Sequence, residues 1–490
     1  MVLKILLEKL NYDLINGDDN IDVNNLVYDS RKVVQNDVFV CITGAVADGH
    51  RYIADVVKKG AAAVIVEKDI EITEELKNVT IIRHKDTRLA LAYMSAAYFG
   101  YPARELFTIG ITGTKGKTTT TYMVRDVLES CNIRTGLIGT IQTIIGDEAI
   151  PSLNTTPESY KVQEYFRRMV DCGCRCVVME VSSQALMLHR TAGIEFDLGV
   201  FTNLEPDHIG PNEHESFEDY IACKSLLFRQ CKVGIINIDS SHADEVLENH
   251  TCEVETYGLS EDAQLRGCNI RYSHDGGNIS TEFDTAGNYD LHVKLSLPGV
   301  FSVYNTLCAL AIIRHFNTDR DIVLKALFNA KVPGRVEPVK VSDDFIIMID
   351  YAHNAMALES LLSTLREYNP GRIVTLFGCG GNRSRLRRFE MGEISGKMSD
   401  LTIITSDNPR DEDPVDIMKD IETGVLKTGG EYVMIEDRGE AVKYAINNGR
   451  KGDIIVIAGK GHEDYQEIKG VKYHMTDREL IENATKEYSI

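Results

Sequence analysis

Short apolar runs alternate along the chain with stretches in which hydrophobic residues recur every three or four positions, the pattern of strands interleaved with amphipathic helices. In the first hundred residues Asp37 to Cys41 and Ala62 to Val66 predict strands, while Tyr52 to Lys59 and Arg88 to Phe99 predict helices. The opening MVLKILLEKLNYDL is interrupted by Lys4, Glu8 and Lys9 at helical spacing, so it predicts an amphipathic surface helix rather than a secretory leader. From Leu106 to about Val332 the same alternation gives the βαβ rhythm of a mostly parallel sheet. Residues 252 to 298 interrupt it: rich in Gly, Asn, Ser and Thr, with a short strand over Leu291 to Leu297, they predict an antiparallel appendage. Beyond Pro333-Gly334 four runs, Phe345 to Ile349, Arg372 to Phe377, Leu401 to Thr405 and Asp453 to Ala458, each end in a polar or glycine-rich loop before a helix.

Prolines 102 and 333 break the pattern and set the expected boundaries. The expectation is an α/β protein of three domains. These are a small N-terminal α/β domain (1–103), a central P-loop mononucleotide-binding domain with a parallel sheet (104–333) and a C-terminal Rossmann-like domain (334–490). The length of 490 residues agrees, at roughly 150 residues per domain.

Charge then narrows the function. With 53 basic and 74 acidic residues the net charge is −21, which repels polyanions and argues against nucleic-acid or anionic-membrane partners. No apolar run approaches the ~20 residues of a membrane span, so no membrane insertion is expected. The 11 cysteines, odd in number and scattered, predict free thiols and a cytoplasmic location. Cys172, Cys174 and Cys176 lead into the run Cys176-Val177-Val178-Met179; their alternate spacing lacks the paired CxxC of a zinc site and predicts small core or edge residues.

The strongest chemical signal is Leu106 to Thr120, a buried strand, a glycine turn and a helix predicted over Thr121 to Cys131. Glycines let backbone N–H groups converge on phosphate oxygens, Lys117 reaches the β/γ-phosphates, and the Thr118 hydroxyl can ligate Mg²⁺. The strict spacing is not met, since Ile111 stands where the first glycine belongs; a tight connection without a ligand is the weaker alternative. Glu180, ending an apolar run, is the expected second metal ligand. His208 follows the strand Leu198 to Asn203 and is the natural ligand of a second metal or a charge stabiliser there. The absence of Asn-Lys-x-Asp favours ATP over GTP.

In the last domain three loops follow strands and should share one carboxyl edge: Gly378 to Arg383, Ser406 to Arg410 and Gly459 to Glu463. Arg383 and Arg410 are placed to grip a small zwitterion, whereas Arg385 and Arg387 read as a solvated helix start.

With these residues in view, the chain resembles the Mur ligases over its whole length, and within them the branch that adds the third residue of the peptidoglycan stem peptide. The resemblance rests on Asp29-Ser30-Arg31, Gly44 to His50, Gly113 to Thr119, Asn154 to Pro157, Glu180 to Ser183 and Asp207-His208. It continues through Lys224, Asn305, Pro333 to Glu337, Asp350 to His353, Asp407 to Arg410 and Ala458 to Gln466. It implies an ATP-dependent acid–amino-acid ligase that joins meso-2,6-diaminopimelate to UDP-N-acetylmuramoyl-L-alanyl-D-glutamate through an acyl phosphate, acting as a monomer. Gly113, Thr114, Lys115, Gly116, Lys117, Thr118, Thr119, Asn305, Arg335, Asp350 and His353 would then bind ATP. Two Mg²⁺ ions would be held by Thr118, Glu180, His208 and Lys224, the last as a CO₂-derived carbamate; sequence alone makes Lys224 an exposed helix residue.

The same resemblance assigns Ser30, Ala45, Val46, Ala47, Asn154, Thr155, Thr156, Ser182, Leu188 and Arg190 to the UDP-linked substrate, with Lys117, Glu180, His208 and Lys224 as the catalytic set. Arg383, Asp407, Asn408, Pro409, Arg410, Gly459 and Glu463 would bind diaminopimelate, whose distal carboxylate pairs with Arg410 and Asn408. Leu188 in place of glutamine, Asn382 in place of aspartate, and Asn354 to Ala357 depart from the branch's pattern. Residues from all three domains have to meet around one acyl phosphate, so domain closure is expected. The alternatives are an L-lysine-adding Mur ligase, a folylpolyglutamate synthetase and a nucleotide-binding subunit without turnover. The Asp-Asn-Pro-Arg motif speaks against the first two, and the joint presence of Lys117, Glu180, His208 and Lys224 against the third.

Overall fold

The computed structural model describes residues 1–44, 47–207, 209–210, 213–275 and 277–488, the last two without their side chains. The chain forms two compact units, Met1–Tyr257 with Ala311–Ile313 and Gly258–Leu310 with Arg314–Ile490.

The first unit holds two sheets. A five-stranded sheet runs in the order Asp13–Asn16, Thr80–Arg83, Ala63–Val66, Val38–Val40, Leu26–Val27, parallel except for its first strand. The amphipathic helix expected at the start is only one turn, Leu3–Leu6. Leu3, Leu6 and Leu7 are buried in the core of this sheet, and the chain then turns to supply the edge strand, so no longer helix is possible there.

The second sheet of this unit runs Glu253–Gly258, Cys231–Asn237, Phe196–Phe201, Phe107–Thr112, Cys176–Glu180, Thr135–Ile138, all parallel, and closes with the antiparallel strands Gln142–Ile145 and Glu148–Pro151. Its strands are continuous apolar runs because both faces are covered. Glu180 pairs in register with Ile111, and Phe201 with Thr112, which brings the loops after three neighbouring strands to one edge. The helix after the glycine turn is Lys117–Ser130, four residues earlier than the pattern suggested. Gly116, at φ +86°, makes the turn that lets it start there.

The second unit contains the expected antiparallel strands, Leu265–Asp275, Asn278–Gly287 and His292–Leu295. They pack with C-terminal residues: Tyr368 Oη lies 2.6 Å from Thr281 Oγ1 and accepts the Gly299 N–H at 2.8 Å, and Ile279 shares a core with Ile346, Met348 and Leu362. The six-stranded sheet runs Glu337–Val339, Ile346–Asp350, Asp453–Ala458, Arg372–Phe377, Leu401–Ile404, Tyr432–Met434, parallel except for its first strand. After the fourth predicted run the chain departs from expectation, since a hairpin, Tyr465–Ile468 with Val471–His474, precedes the helix Asp477–Tyr488. Cys174 and Cys176 are buried and Cys172 half-buried, and all eleven cysteines are free thiols. Among the described residues no helix is long and apolar enough to cross a membrane.

Candidate active site

At the carboxyl edge of the central sheet, strand Phe107–Thr112 delivers a loop whose geometry depends on glycine. Gly113 has φ +143°, and a Cβ there would lie 2.0 Å from Thr202 Oγ1. Helix Lys117–Ser130 starts directly after the loop formed by Thr114, Lys115 and Gly116, so its positive N-terminal end lies at this loop. Lys117 Nζ donates back to the carbonyls of Gly113 and Thr114 at 2.7 and 3.0 Å. Lys115 is exposed and pairs with Glu205 at 2.7 Å.

Glu180 is buried and accepts three hydrogen bonds: from Thr118 Oγ1 at 3.0 Å, Thr140 N at 2.8 Å and Thr140 Oγ1 at 3.0 Å. A buried carboxylate beside a helix-start hydroxyl is a hard-oxygen donor set of the type Mg²⁺ takes, so Thr118 and Glu180 fit that ion. Lys224, on helix Phe217–Ser225, is 1 % exposed, which corrects the expectation of a solvated residue. Its Nζ donates to Gly113 O at 3.0 Å and lies 4.5 Å from the centre of the Tyr220 ring. Burial, then the neighbouring Lys117 charge, pulls its pKa well below the ordinary lysine range. Sequence missed this because the apolar residues flanking Lys224 do not reveal which side of so short a helix faces inward. His208 lies outside the described residues, as do Ala45 and Val46.

Next to Glu180 a polar platform forms. Thr156 Oγ1 donates to Glu180 O at 2.8 Å and accepts the Ser182 N–H at 3.1 Å; Arg190 Nη1 donates to Thr156 O at 3.0 Å. Arg190 Nε is buried without a hydrogen-bond partner, and Glu158 stands 3.8 Å away. Thr155 Oγ1 is 3.1 Å from Thr140 Oγ1, Asn154 is exposed and Leu188 caps the short helix Ser183–Met187. Ser30 is half-buried with its carbonyl accepting from Lys59 Nζ at 2.7 Å, beside the Asp29–Arg31 ion pair. Ala47 is exposed, its carbonyl accepting the Gly44 N–H.

In the second unit, Asp350 ends its strand half-buried and accepts the N–H groups of Val336 and Ala352, both at 2.8 Å; desolvation raises its pKa. Arg335 lies 4.7 Å from the centre of the Tyr351 ring, which packs against His353 at 4.6 Å and His462 at 5.1 Å. Arg335 Nε and His462 Nδ1 are buried without hydrogen-bond partners. Gly334, at φ +66°, permits this contact, because a Cβ there would sit 2.1 Å from His462 N. Tyr351 and His462 were not singled out from sequence, although both fall inside the quoted motifs. Asn305 is buried on helix Val300–Ile313. The residues that resemblance assigns to ATP thus divide, Gly113 to Thr119 in one unit and Asn305, Arg335, Asp350 and His353 in the other.

The three C-terminal loops do converge. Gly381 N donates to Asn408 O at 2.9 Å, and Asn408 Nδ2 to Glu463 Oε2 at 2.8 Å. A Cβ on Gly459 would stand 3.0 Å from Asp407 Oδ2, and one on Gly381 only 1.9 Å from Pro409 O. Asp407 is buried, which raises its pKa, and its carbonyl accepts from Gln466 Nε2 at 2.8 Å. Arg410 adopts φ +52°, donates from Nη1 to Gly381 O at 2.7 Å and from Nε to Glu467 Oε2 at 3.1 Å. These contacts use two of its five N–H groups. Arg383 is exposed.

Arg385 pairs with Asp420 at 2.6 Å while staying largely exposed; Arg388 is buried between Asp420 at 3.0 Å and Glu412 at 2.8 Å, and Glu412 also accepts the Asn382 N–H. Arg385, expected to be solvated, therefore stays exposed yet joins Arg388 in bracing this helix start through Asp420. Lys460, fully buried, donates to Tyr465 O at 2.5 Å and Asn408 Oδ1 at 3.3 Å, a role that its glycine-flanked position did not announce.

Known proteins show the same organisation. Three family models match: Mur ligase family, catalytic domain, over 22–99; Mur ligase middle domain over 111–313; and Mur ligase, glutamate ligase domain, over 334–461. A UDP-N-acetylmuramoyl-L-alanyl-D-glutamate–2,6-diaminopimelate ligase of Caldanaerobacter subterraneus subsp. tengcongensis is 41% identical over 474 residues, covering 96% of this chain and 97% of the relative. One of two ligases of that name from Clostridium acetobutylicum is 42% identical over 491 residues, covering 99% and 100%. A solved structure titled as the same ligase superposes with a TM-score of 0.76 at 28% identity, covering 100% of this chain and 99% of that one.

Proposed function

Because this chain belongs to the Mur ligase family, we propose that it joins meso-2,6-diaminopimelate to UDP-N-acetylmuramoyl-L-alanyl-D-glutamate at the expense of ATP, in cytoplasmic peptidoglycan precursor synthesis. The observation that carries the reading is the phosphate loop with two lysines on one carbonyl, Lys117 and Lys224 on Gly113 O, beside the Thr118–Glu180 pair. Such a site is built for a reaction in which negative charge moves between phosphate and carboxylate.

In the reading, the glutamyl side-chain carboxylate of the UDP-linked substrate attacks the γ-phosphorus of ATP, giving an acyl phosphate and ADP. The amine of the amino acid then attacks the acyl carbon, and inorganic phosphate leaves as the amide forms. Backbone N–H groups of the Gly113 to Thr119 loop and Lys117 hold the phosphates in line. Thr118 and Glu180 and, as the family suggests, His208 and a carbamate on Lys224 would hold Mg²⁺, which would supply positive charge at the transferring phosphoryl group. Thr156, Ser182 and Arg190 orient the substrate's peptide end, and Ser30 with the loop through Ala47 holds its uridine end.

Arg335, Asp350 and His353 hold the nucleoside of ATP, and Asp407, Asn408, Arg410 and Glu463 hold diaminopimelate. The domain limits 1–103, 104–333 and 334–490, a monomeric state and two bound metal ions belong to the same proposal. Phosphate release by the purified protein with ATP, Mg²⁺ and the UDP-linked dipeptide, measured with single amino acids, tests it. Release only with diaminopimelate supports the reading; release with none, despite nucleotide binding, contradicts it.

A further inference from the structure

His214 is completely buried in the first unit and is engaged on both ring nitrogens. Nδ1 lies 2.9 Å from Asp219 Oδ2, and Nε2 lies 2.8 Å from Ser183 Oγ. A carboxylate only accepts, so Nδ1 carries a proton, and in the neutral ring Nε2 then accepts the Ser183 hydroxyl. The order acid, imidazole, serine is that of a hydrolytic triad, but Ser183 is only 4 % exposed and His214 0 %, so no carbonyl could reach the hydroxyl. Cys223 Sγ, 3.7 Å from Asp219 Oδ1, completes a trio of metal-ligand type. Against that use, both imidazole nitrogens are already hydrogen-bonded, and burial with the Asp219 charge pushes the thiol up to about 12.

The relay joins two elements of the candidate site. At one end, Ser183 opens the short helix Ser183–Met187 directly after Ser182, whose N–H rests on Thr156 and whose Oγ accepts the Ala185 N–H at 3.2 Å. At the other, Asp219 lies in the first turn of helix Phe217–Ser225, capped by Ser216. That helix also carries Tyr220, whose Oη is 3.2 Å from Thr114 Oγ1 and whose ring packs edge-on against His214 at 5.1 Å, and it carries Lys224. We infer that His214 is a positioning residue: through Asp219 and Ser183 it fixes the substrate turn at Ser182 relative to the helix that presents Lys224. Its effect on turnover rests on the ligase reading above; its hydrogen bonds do not.

Two substitutions separate the ends of the relay in the full-length protein. Asparagine puts an amide near the Nδ1 position and keeps Asp219, while glutamine reaches the Nε2 position and keeps Ser183. His214→Asn is expected to lower kcat about 10- to 100-fold and to raise KM for the UDP-linked dipeptide, with KM for ATP and amino acid unchanged within about twofold. His214→Gln, which releases Asp219, and Ser183→Ala, which removes the other end, should each reproduce His214→Asn, and His214→Asn combined with Ser183→Ala should be no worse than either single variant. An undiminished rate in either the asparagine or the glutamine variant, additive losses in the double variant, or a parallel rise in all three KM values would overturn the inference.

The imidazole ¹⁵N spectrum of the wild-type protein, labelled on histidine, gives a readout without turnover. It should report the Nδ1–H tautomer for His214, with the Nε2 resonance moving in Ser183→Ala. An Nε2–H tautomer, or no response to Ser183→Ala, would overturn the relay. A protein that shows the expected spectrum but no ligation would instead contradict the ligase reading.

Discussion

Lys117 and Lys224 direct their amino nitrogens at a single carbonyl oxygen, that of Gly113, from 2.7 and 3.0 Å. Two ammonium groups this close repel, and of the two it is Lys224 that is fully buried and held well below the usual lysine range. A neutral amine is the form that adds CO₂, giving a carbamate and releasing one proton. Protein equilibrated with ¹³CO₂ should show a carbamate carbon signal that is absent in Lys224→Ala. At fixed CO₂ pressure the signal should grow as pH rises, because deprotonation both frees the amine and draws the released proton away. The variant should lose about 10²- to 10³-fold in kcat while still binding nucleotide. A full rate in Lys224→Ala would rule out the carbamate as a working part.

Arg410 is held by Gly381 O and Glu467, contacts that leave three of its five side-chain N–H groups for another acceptor. Diaminopimelate has a distal carboxylate to meet them and lysine does not. Arg410→Ala should therefore raise KM for diaminopimelate by about 10²- to 10³-fold and leave KM for ATP unchanged. Steady-state kinetics with each substrate varied in turn decides this, and a loss shared equally with ATP would point to a folding defect.

Much of the site could be read in the chain because strand ends and glycine turns are local. The continuous runs Phe107 to Thr112 and Cys176 to Glu180 can only be buried parallel strands, so the loops after them had to share an edge. The features that escaped depend on contacts between distant segments. The burial of Lys224 follows from how a nine-residue helix lies against Gly113, more than a hundred positions earlier. Nothing in the sequence around Arg388 announces that Glu412 and Asp420 close over it. The antiparallel strands at 265–295 interrupt the central βαβ pattern, yet pack with Tyr368 and the C-terminal core, a preference that composition cannot express.

Arg438 and Asp477 form an ion pair with both side chains 0 % exposed, and Arg438 also donates to the carbonyls of Ala458 and Ser406 beneath two of the ligand loops. Arg438→Met would leave a buried carboxylate without its partner, a loss of about 3–5 kcal/mol. The double change Arg438→Met with Asp477→Leu should recover part of it. Denaturant unfolding of the three proteins measures both, and an unaffected midpoint in the single variant would refute the claim.

His462 is pulled down to about 4 by burial and by the Arg335 charge. The unfolded chain, with an ordinary histidine, therefore binds more protons between about pH 6.5 and 4, so stability falls as pH drops through that window. Between about pH 7.5 and about pH 5 this residue alone should cost about 2 kcal/mol. His462→Gln should remove that part of the pH dependence, which unfolding at the two pH values would show; identical slopes in both proteins would contradict it.

The central claim is an ATP-driven ligation that selects diaminopimelate, and its most direct measurement is phosphate release with the UDP-linked dipeptide and ATP, comparing meso-diaminopimelate with L-lysine. Turnover with diaminopimelate and at least about 10²-fold lower kcat/KM with lysine is the expected result. Equal use of the two amino acids, or a preference for lysine, would contradict the account.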